Sequence, residues 1–138
     1  MKPLTIILSC LLAISLVINI FLLSGRISPK QVTYTVSEVI DGDTFKVREG
    51  NDERRVRLIG VDAPESGKCL SIEAKYKLSD LILGKEVVLK DQFLDPYGRI
   101  MANVFVGSQY INMEMLASGL GRIDYYENPH SEELKKAY

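Results

Sequence analysis

The stretch from Asp41 to Glu65, DGDTFKVREGNDERRVRLIGVDAPE, constrains the fold more than any other part of this chain. Two runs of alternating residues, Thr44 to Arg48 and Arg54 to Gly60, flank Gly50-Asn51. Successive side chains of a strand point to opposite faces. Arg57 therefore projects away from the face shared by Val56 and Leu58. A hairpin about Gly50-Asn51 sets the start of the first strand beside the end of the second. That brings the DGD turn to the DAPE loop and gathers Asp41, Asp43, Asp62 and Glu65 near Arg57. Carboxylates held so close destabilise one another unless a cation sits among them. A hard divalent ion bound by carboxylate and backbone oxygens suits the place. Asp-Gly alone is above all a turn dipeptide, and a lone strand arginine is commonly a solvated edge residue. The combination carries the argument.

Composition narrows the partners. At 138 residues there is room for one domain, and 46% hydrophobic and 25% charged residues are ordinary for a globular chain. The formal net charge is −1, and setting aside Lys2 and Arg26 leaves 15 basic against 18 acidic side chains. A broad polycationic surface is excluded. An anionic partner has to be gripped by a few placed arginines. Cys10 lies in the apolar N-terminal run and Cys69 in the folded part, so no disulfide is expected.

Leu4 to Leu23 contains no charge. Twenty helical residues reach about 30 Å, the thickness of a bilayer's hydrocarbon core. A cleaved signal peptide has a shorter apolar region, and Ser24-Gly25 is a mediocre cleavage site. A lipoprotein signal at Cys10 fits poorly after Leu8-Ser9. An uncleaved anchor fits best. Residues 1–26 are thus expected to form a signal-anchor or transmembrane helix, 27–33 a linker and 34–138 the folded domain. Lys2 with the amino terminus roughly balances Arg26 and Lys30, and the short tail before the anchor favours a domain outside the cytoplasm, or in the medium if the segment is cleaved.

Along the folded part, Gln31–Ile40 alternates cleanly and predicts a strand. The 44–48 and 54–60 runs complete a meander. The strand must end before Ala63-Pro64, because a residue preceding proline is pushed out of the helical region. Ser71 is placed to cap a helix carrying Ala74, Leu78, Leu81 and Ile82 on one side and ended by Gly84. Glu86–Lys90 and Ile100–Val106 predict two more strands, and Ile111, Met115 and Leu116 a short helix capped by Gly119. Asn128-Pro129 is placed to open a last helix, asparagine as cap and proline first. Five strands with a helix between the third and fourth predict an α+β chain. Its core is a five-stranded Greek-key barrel of the oligonucleotide-binding (OB-fold) type, with about three helices.

Residues 91–99 read DQFLDPYGR, where Asp95-Pro96-Tyr97-Gly98 predicts a β-turn that sets Arg99 at the mouth of the fifth strand. Arg57 and Arg99 offer two guanidinium forks, the group best shaped to hold a phosphate bidentately. No His/Cys set suitable for zinc exists, and the lone His130 reads as a surface or capping residue.

DGDT, then RLIGVDAPE, then DPYGR, in this order, resembles the thermonuclease family, the staphylococcal-nuclease-like fold, over roughly Val36 to Tyr138. The resemblance implies a calcium-dependent phosphodiesterase acting on DNA or RNA. By matching position it implies that Asp43 and Asp62 ligate Ca2+, that Ala63 does so through its backbone carbonyl, and that Asp41 sits near the ion through water. It makes Arg57 and Arg99 the phosphate clamps and Glu65 the general base. Tyr125 and Tyr126 are candidates for stacking on a base or lining the cleft. A monomer is expected. The family's last helix usually runs further, often to a tryptophan; this chain has none and is expected to carry a shortened helix ending at Tyr138. Two alternatives stand beside the nuclease: a catalytically inactive barrel of the same fold that binds nucleic acid or protein, and a membrane-tethered interaction domain.

Overall fold

The alternation from Tyr34 to Leu58 folds as a three-strand meander. In the computed structural model, which describes residues 3–24, 32–124 and 129–138, β1 (Tyr34–Val39), β2 (Thr44–Glu49) and β3 (Asp52–Leu58) are antiparallel neighbours. β2 and β3 pair in register from Thr44↔Arg57 to Glu49↔Asp52. Their two-residue turn puts Gly50 at φ +62°, the left-handed conformation that such hairpins require. Phe45, Val47, Val56 and Leu58 are completely shielded from solvent, so the alternation has sorted the apolar set inward.

The chain continues through β4 (Val61–Asp62), α2 (Ser71–Ile82), β5 (Glu86–Leu94), β6 (Ile100–Val106), β7 (Gln109–Tyr110), α3 (Ile111–Ala117), β8 (Arg122–Ile123) and α4 (Ser131–Ala137). The strand order is β3-β2-β1-β5-β6-β7. β3 also pairs with β6 in parallel, Val56↔Ile100, Arg57↔Met101 and Leu58↔Ala102. That pairing closes β1, β2, β3, β5 and β6 into the expected five-strand barrel and removes its open edges. Ala74, Leu78, Leu81 and Ile82 of α2 and Ile111, Met115 and Leu116 of α3 join the barrel's core, and Leu134 of α4 adds to it. Buried Asn112 latches α3 to the barrel: its Oδ1 accepts the Val104 N–H (2.9 Å), and its Nδ2 donates to the carbonyls of Ile59 (2.8 Å) and Ala102 (3.2 Å).

The chain forms two compact units, residues 1–31 and 32–138. The first contains α1, a helix over Pro3–Ser24. Its side chains are described at Pro3, Ile7, Leu8 and 11–18, all exposed. Among the described residues no helix is long and apolar enough to cross a membrane. The structure thus contains the expected N-terminal helix without establishing a membrane span.

Three local expectations are corrected. Ser71 is the first helical residue, not the cap; the capping position belongs to Leu70, at φ +66°, with no side-chain cap bond. The last helix starts at Ser131 with His130 at the cap, so Pro129 precedes it; Asn128 lies outside the described residues. β5 runs on to Leu94, because a bulge absorbs the break in pattern after Lys90. Asp91 takes φ +54°, and pairing resumes as Phe93↔Met101 and Leu94↔Ile100.

Gly42 is required by a close approach. A Cβ there would come within 2.6 Å of both the Ala63 and the Ala74 methyl carbons. The DGD turn, the DAPE loop and α2 can meet only because these three residues are small. Gly42→Ala is expected to lower stability by about 1–3 kcal/mol, the usual cost of overpacking, as measured by the shift of the urea unfolding midpoint.

Candidate functional site

The DGD turn is built by its first carboxylate. Asp41 Oδ1 accepts the backbone N–H groups of Asp43 (3.0 Å) and Thr44 (2.7 Å). This bonding pins the turn at the start of β2. Asp43 then points into the protein and is only 3% exposed. Its Oδ1 accepts from Thr44 Oγ1 (2.8 Å) and Arg57 Nη1 (2.6 Å), and its Oδ2 from the backbone N–H of Ala63 (3.0 Å). One side chain therefore joins the DGD turn, β3 and the DAPE loop. Burial pushes the Asp43 carboxyl up to about 6, although Arg57 and the Ala63 N–H pull the other way.

Asp62, on β4, is held between two guanidinium groups. Oδ1 lies 3.5 Å from Arg57 Nη2, and Oδ2 accepts from Arg122 Nε at 2.7 Å. Arg122 is brought there by the pairing Asp62↔Arg122 of β4 with β8. The second cation group is prepared in the same way as the first. Asp95 Oδ1 accepts the N–H groups of Tyr97 and Arg99 (both 2.9 Å), and its Oδ2 accepts from Arg99 Nε (2.7 Å). The expected β-turn is present, closed by Gly98 N–H to the Asp95 carbonyl at 3.0 Å.

Arg57, Glu65 and Arg99 line one cleft of about 430 Å³, together with Asp95, Pro96, Tyr97, Met101 and Asp124. The parallel pairing of β3 with β6 is responsible. It sets Arg57 opposite Met101, and Arg99, two residues earlier, returns to the same outer face. Each guanidinium carries five N–H donors, so its carboxylate partner engages only part of the fork. Glu65 is exposed and also lines a neighbouring cleft of about 630 Å³ with Asp62, Lys68 and Arg122.

Asp43 and Asp62 converge on the single guanidinium of Arg57, with the backbone of Ala63 against Asp43. The donors offered are oxygens only, which suits a hard divalent cation and not zinc or copper. A buried carboxylate whose present partners do not offset its burial also favours added positive charge. Among the described residues no group of three or more His, Cys, Asp or Glu side chains is gathered.

Two further residues belong to the site: Arg122, against Asp62, and Asp95, the partner of Arg99. Nothing local marks Arg122, since its partner lies 60 residues away. Asp95 was legible as a carboxylate four residues before an arginine across a turn. Tyr125 and Tyr126 lie outside the described residues.

The model of the staphylococcal nuclease homologue family matches residues 55–138. An uncharacterized endonuclease of Haemophilus influenzae is 36% identical over 102 residues, 73% of this chain and 57% of that protein. The micrococcal nuclease of Shigella flexneri is 33% identical over 109 residues, 72% of this chain and 63% of the relative. The thermonuclease of Staphylococcus intermedius is 35% identical over 104 residues, 68% and 61% of the two chains. The chain thus spans between 57% and 63% of the length of these curated relatives.

A pH dependence follows from Asp43. A carboxyl whose folded pKa lies above its unfolded value of 3.8 contributes stability below pH 3.8 that is lost as pH rises through about 6. In chelator, the difference in unfolding free energy between the protein and Asp43→Asn should therefore fall from pH 4 to pH 6.5. A flat difference curve from urea melts across that range would contradict it.

Proposed function

The chain belongs to the staphylococcal nuclease homologue family, and from that premise we propose that it is a calcium-dependent nuclease hydrolysing phosphodiester bonds of DNA or RNA. The observation that carries this reading is the convergence of Arg57, Arg99 and Glu65 on one cleft beside the Asp43–Asp62 pair. Cleavage of a phosphodiester builds negative charge on the phosphoryl oxygens, and fixed cations aimed at them lower the barrier. Arg57 and Arg99 hold those oxygens from two strands. Asp43 and Asp95 orient the two forks, so little reorganisation is needed when the substrate arrives. Glu65, exposed at the junction of two clefts, takes the proton of the attacking water. Asp43, Asp62 and the Ala63 carbonyl are the groups that would hold a calcium ion, with Asp41 nearby in the same turn. Calcium, when bound, supplies Lewis-acid polarisation of a phosphoryl oxygen.

One observation favours a second reading, an inactive barrel that binds nucleic acid. Asp62 already has a guanidinium on each oxygen, and Asp43 has one on Oδ1. In that state the acid site is neutralised without a metal. Activity decides between the two.

Single-stranded oligonucleotide should be cleaved in calcium and left intact in chelator. Arg57→Ala, Glu65→Gln and Arg99→Ala should each lower kcat/KM about a hundredfold or more. Tight binding without turnover in calcium would favour the inactive barrel and discard the enzyme.

The membrane reading is a separate proposal. The charge-free run from Leu4 to Leu23 supports attachment of the catalytic unit to a membrane, on its extracytoplasmic side. Full-length protein should then sediment with membranes after a high-salt wash and appear in the soluble fraction when residues 1–26 are removed. Recovery of the full chain in the soluble fraction would reject the anchor.

A further inference from the structure

A row of side chains crosses the outer face of the barrel at right angles to its strands. Directly paired residues on neighbouring strands share a face. Thr44 pairs with Arg57, Arg57 with Met101, and Met101 with Phe93. The row therefore runs across β2, β3, β6 and β5. It starts at the residue that hydrogen-bonds Asp43, passes the guanidinium of Arg57 and the cleft-lining Met101, and ends on an aromatic ring.

Phe93 reaches this row only through the β5 bulge. Lys90 pairs with Asn103 and Phe93 with Met101, so three steps on β5 match two on β6. Were residues 90–93 regularly paired with no bulge at Asp91–Gln92, strict alternation would turn residue 93 to the face opposite Lys90. The left-handed backbone of Asp91 (φ +54°) and its bond from Asn103 Nδ2 (2.8 Å) hold the bulge in place. A bulge beside a binding site commonly serves to re-aim one side chain. Here it keeps a phenylalanine 41% exposed on the face that carries the cations.

We infer that Phe93 is a stacking platform for a nucleobase of a single-stranded substrate, on the same strand as the phosphate held by Arg57 and Arg99. Two strand spacings, about 10 Å, separate the backbones at 57 and 93, so both can engage neighbouring parts of one polynucleotide. Base stacking on an exposed ring tolerates any sequence, because every base offers a π face. It also demands an unpaired base, so the platform biases the site towards single strands. The net charge of −1 leaves no broad electrostatic footprint to supply affinity in its place. The neighbouring Leu94 pairs with Ile100, on the other face of the strand, and does not belong to the row.

The inference deepens the nuclease reading and rests on it, but its test is read by binding. The chain has no tryptophan, so Phe93→Trp introduces a single indole fluorophore. In the full-length Phe93→Trp variant with chelator present, a short single-stranded oligodeoxynucleotide should quench the indole fluorescence, while an abasic strand of the same length should not. Phe93→Ala should cut the ratio of affinities for the base-bearing and abasic strands about five- to a hundredfold. Leu94→Ala should leave that ratio in place, and Phe93→Trp should preserve it. Binding of the base-bearing strand without quenching, or equal losses in the two alanine variants, overturns the platform. Quenching without cleavage in calcium keeps the platform and removes the nuclease; cleavage without quenching does the reverse. If the protein binds neither strand, the platform falls, and cleavage in calcium alone decides the nuclease reading.

Discussion

The pair Asp43–Arg57 is the constraint on which the rest of the site depends. Asp43 is buried, and its two oxygens bind a hydroxyl, a guanidinium and a backbone N–H from three parts of the chain. Removing Arg57 would leave the buried Asp43 carboxylate without its counter-ion, which costs far more than an exposed ion pair contributes. The same contact holds the DGD turn against the DAPE loop and aims Arg57 along the cleft. Burial still outweighs these partners at Asp43 and holds its carboxyl above the usual carboxylate range.

Around this pair, each cation is prepared by a carboxylate. Arg57 is braced by Asp43 and Asp62, Arg99 by Asp95, and Asp62 in turn by Arg122. Such bracing lowers the entropy lost when a long side chain grips an anion. It also lets a chain with slightly more acid than base present local positive charge in one cleft. The balance is local, not global, and it is set by where the barrel places a few arginine and acid side chains.

The barrel supplies that placement through one closure. Parallel pairing of β3 with β6 brings residue 57 opposite residue 101 and sets Arg99 diagonally beside Arg57. The small residues Gly42, Ala63 and Ala74 then let the two acidic loops approach α2. Neither feature is chemical in itself, yet without them the charged residues would line separate surfaces.

The hairpin, its register and the inward set Phe45, Val47, Val56 and Leu58 were legible in the sequence, because period-two alternation and a Gly-Asn turn are local signals. So was the DPYGR turn, whose proline and glycine favour only a few backbone shapes. The motif order also carried the family resemblance. Local signals failed where geometry is set by distant partners. Ser71 looked like a cap, but the preceding loop puts Leu70 there instead. The extension of β5 was hidden because a bulge breaks the alternation on which the reading relied. Arg122 could not be found, since only the β4–β8 pairing brings it to Asp62. The amino-acid sequence by itself determined which residues alternate, turn and carry charge, since those preferences act within a few residues of chain. Tertiary structure alone decided which charges meet, because that depends on barrel closure between strands about forty residues apart.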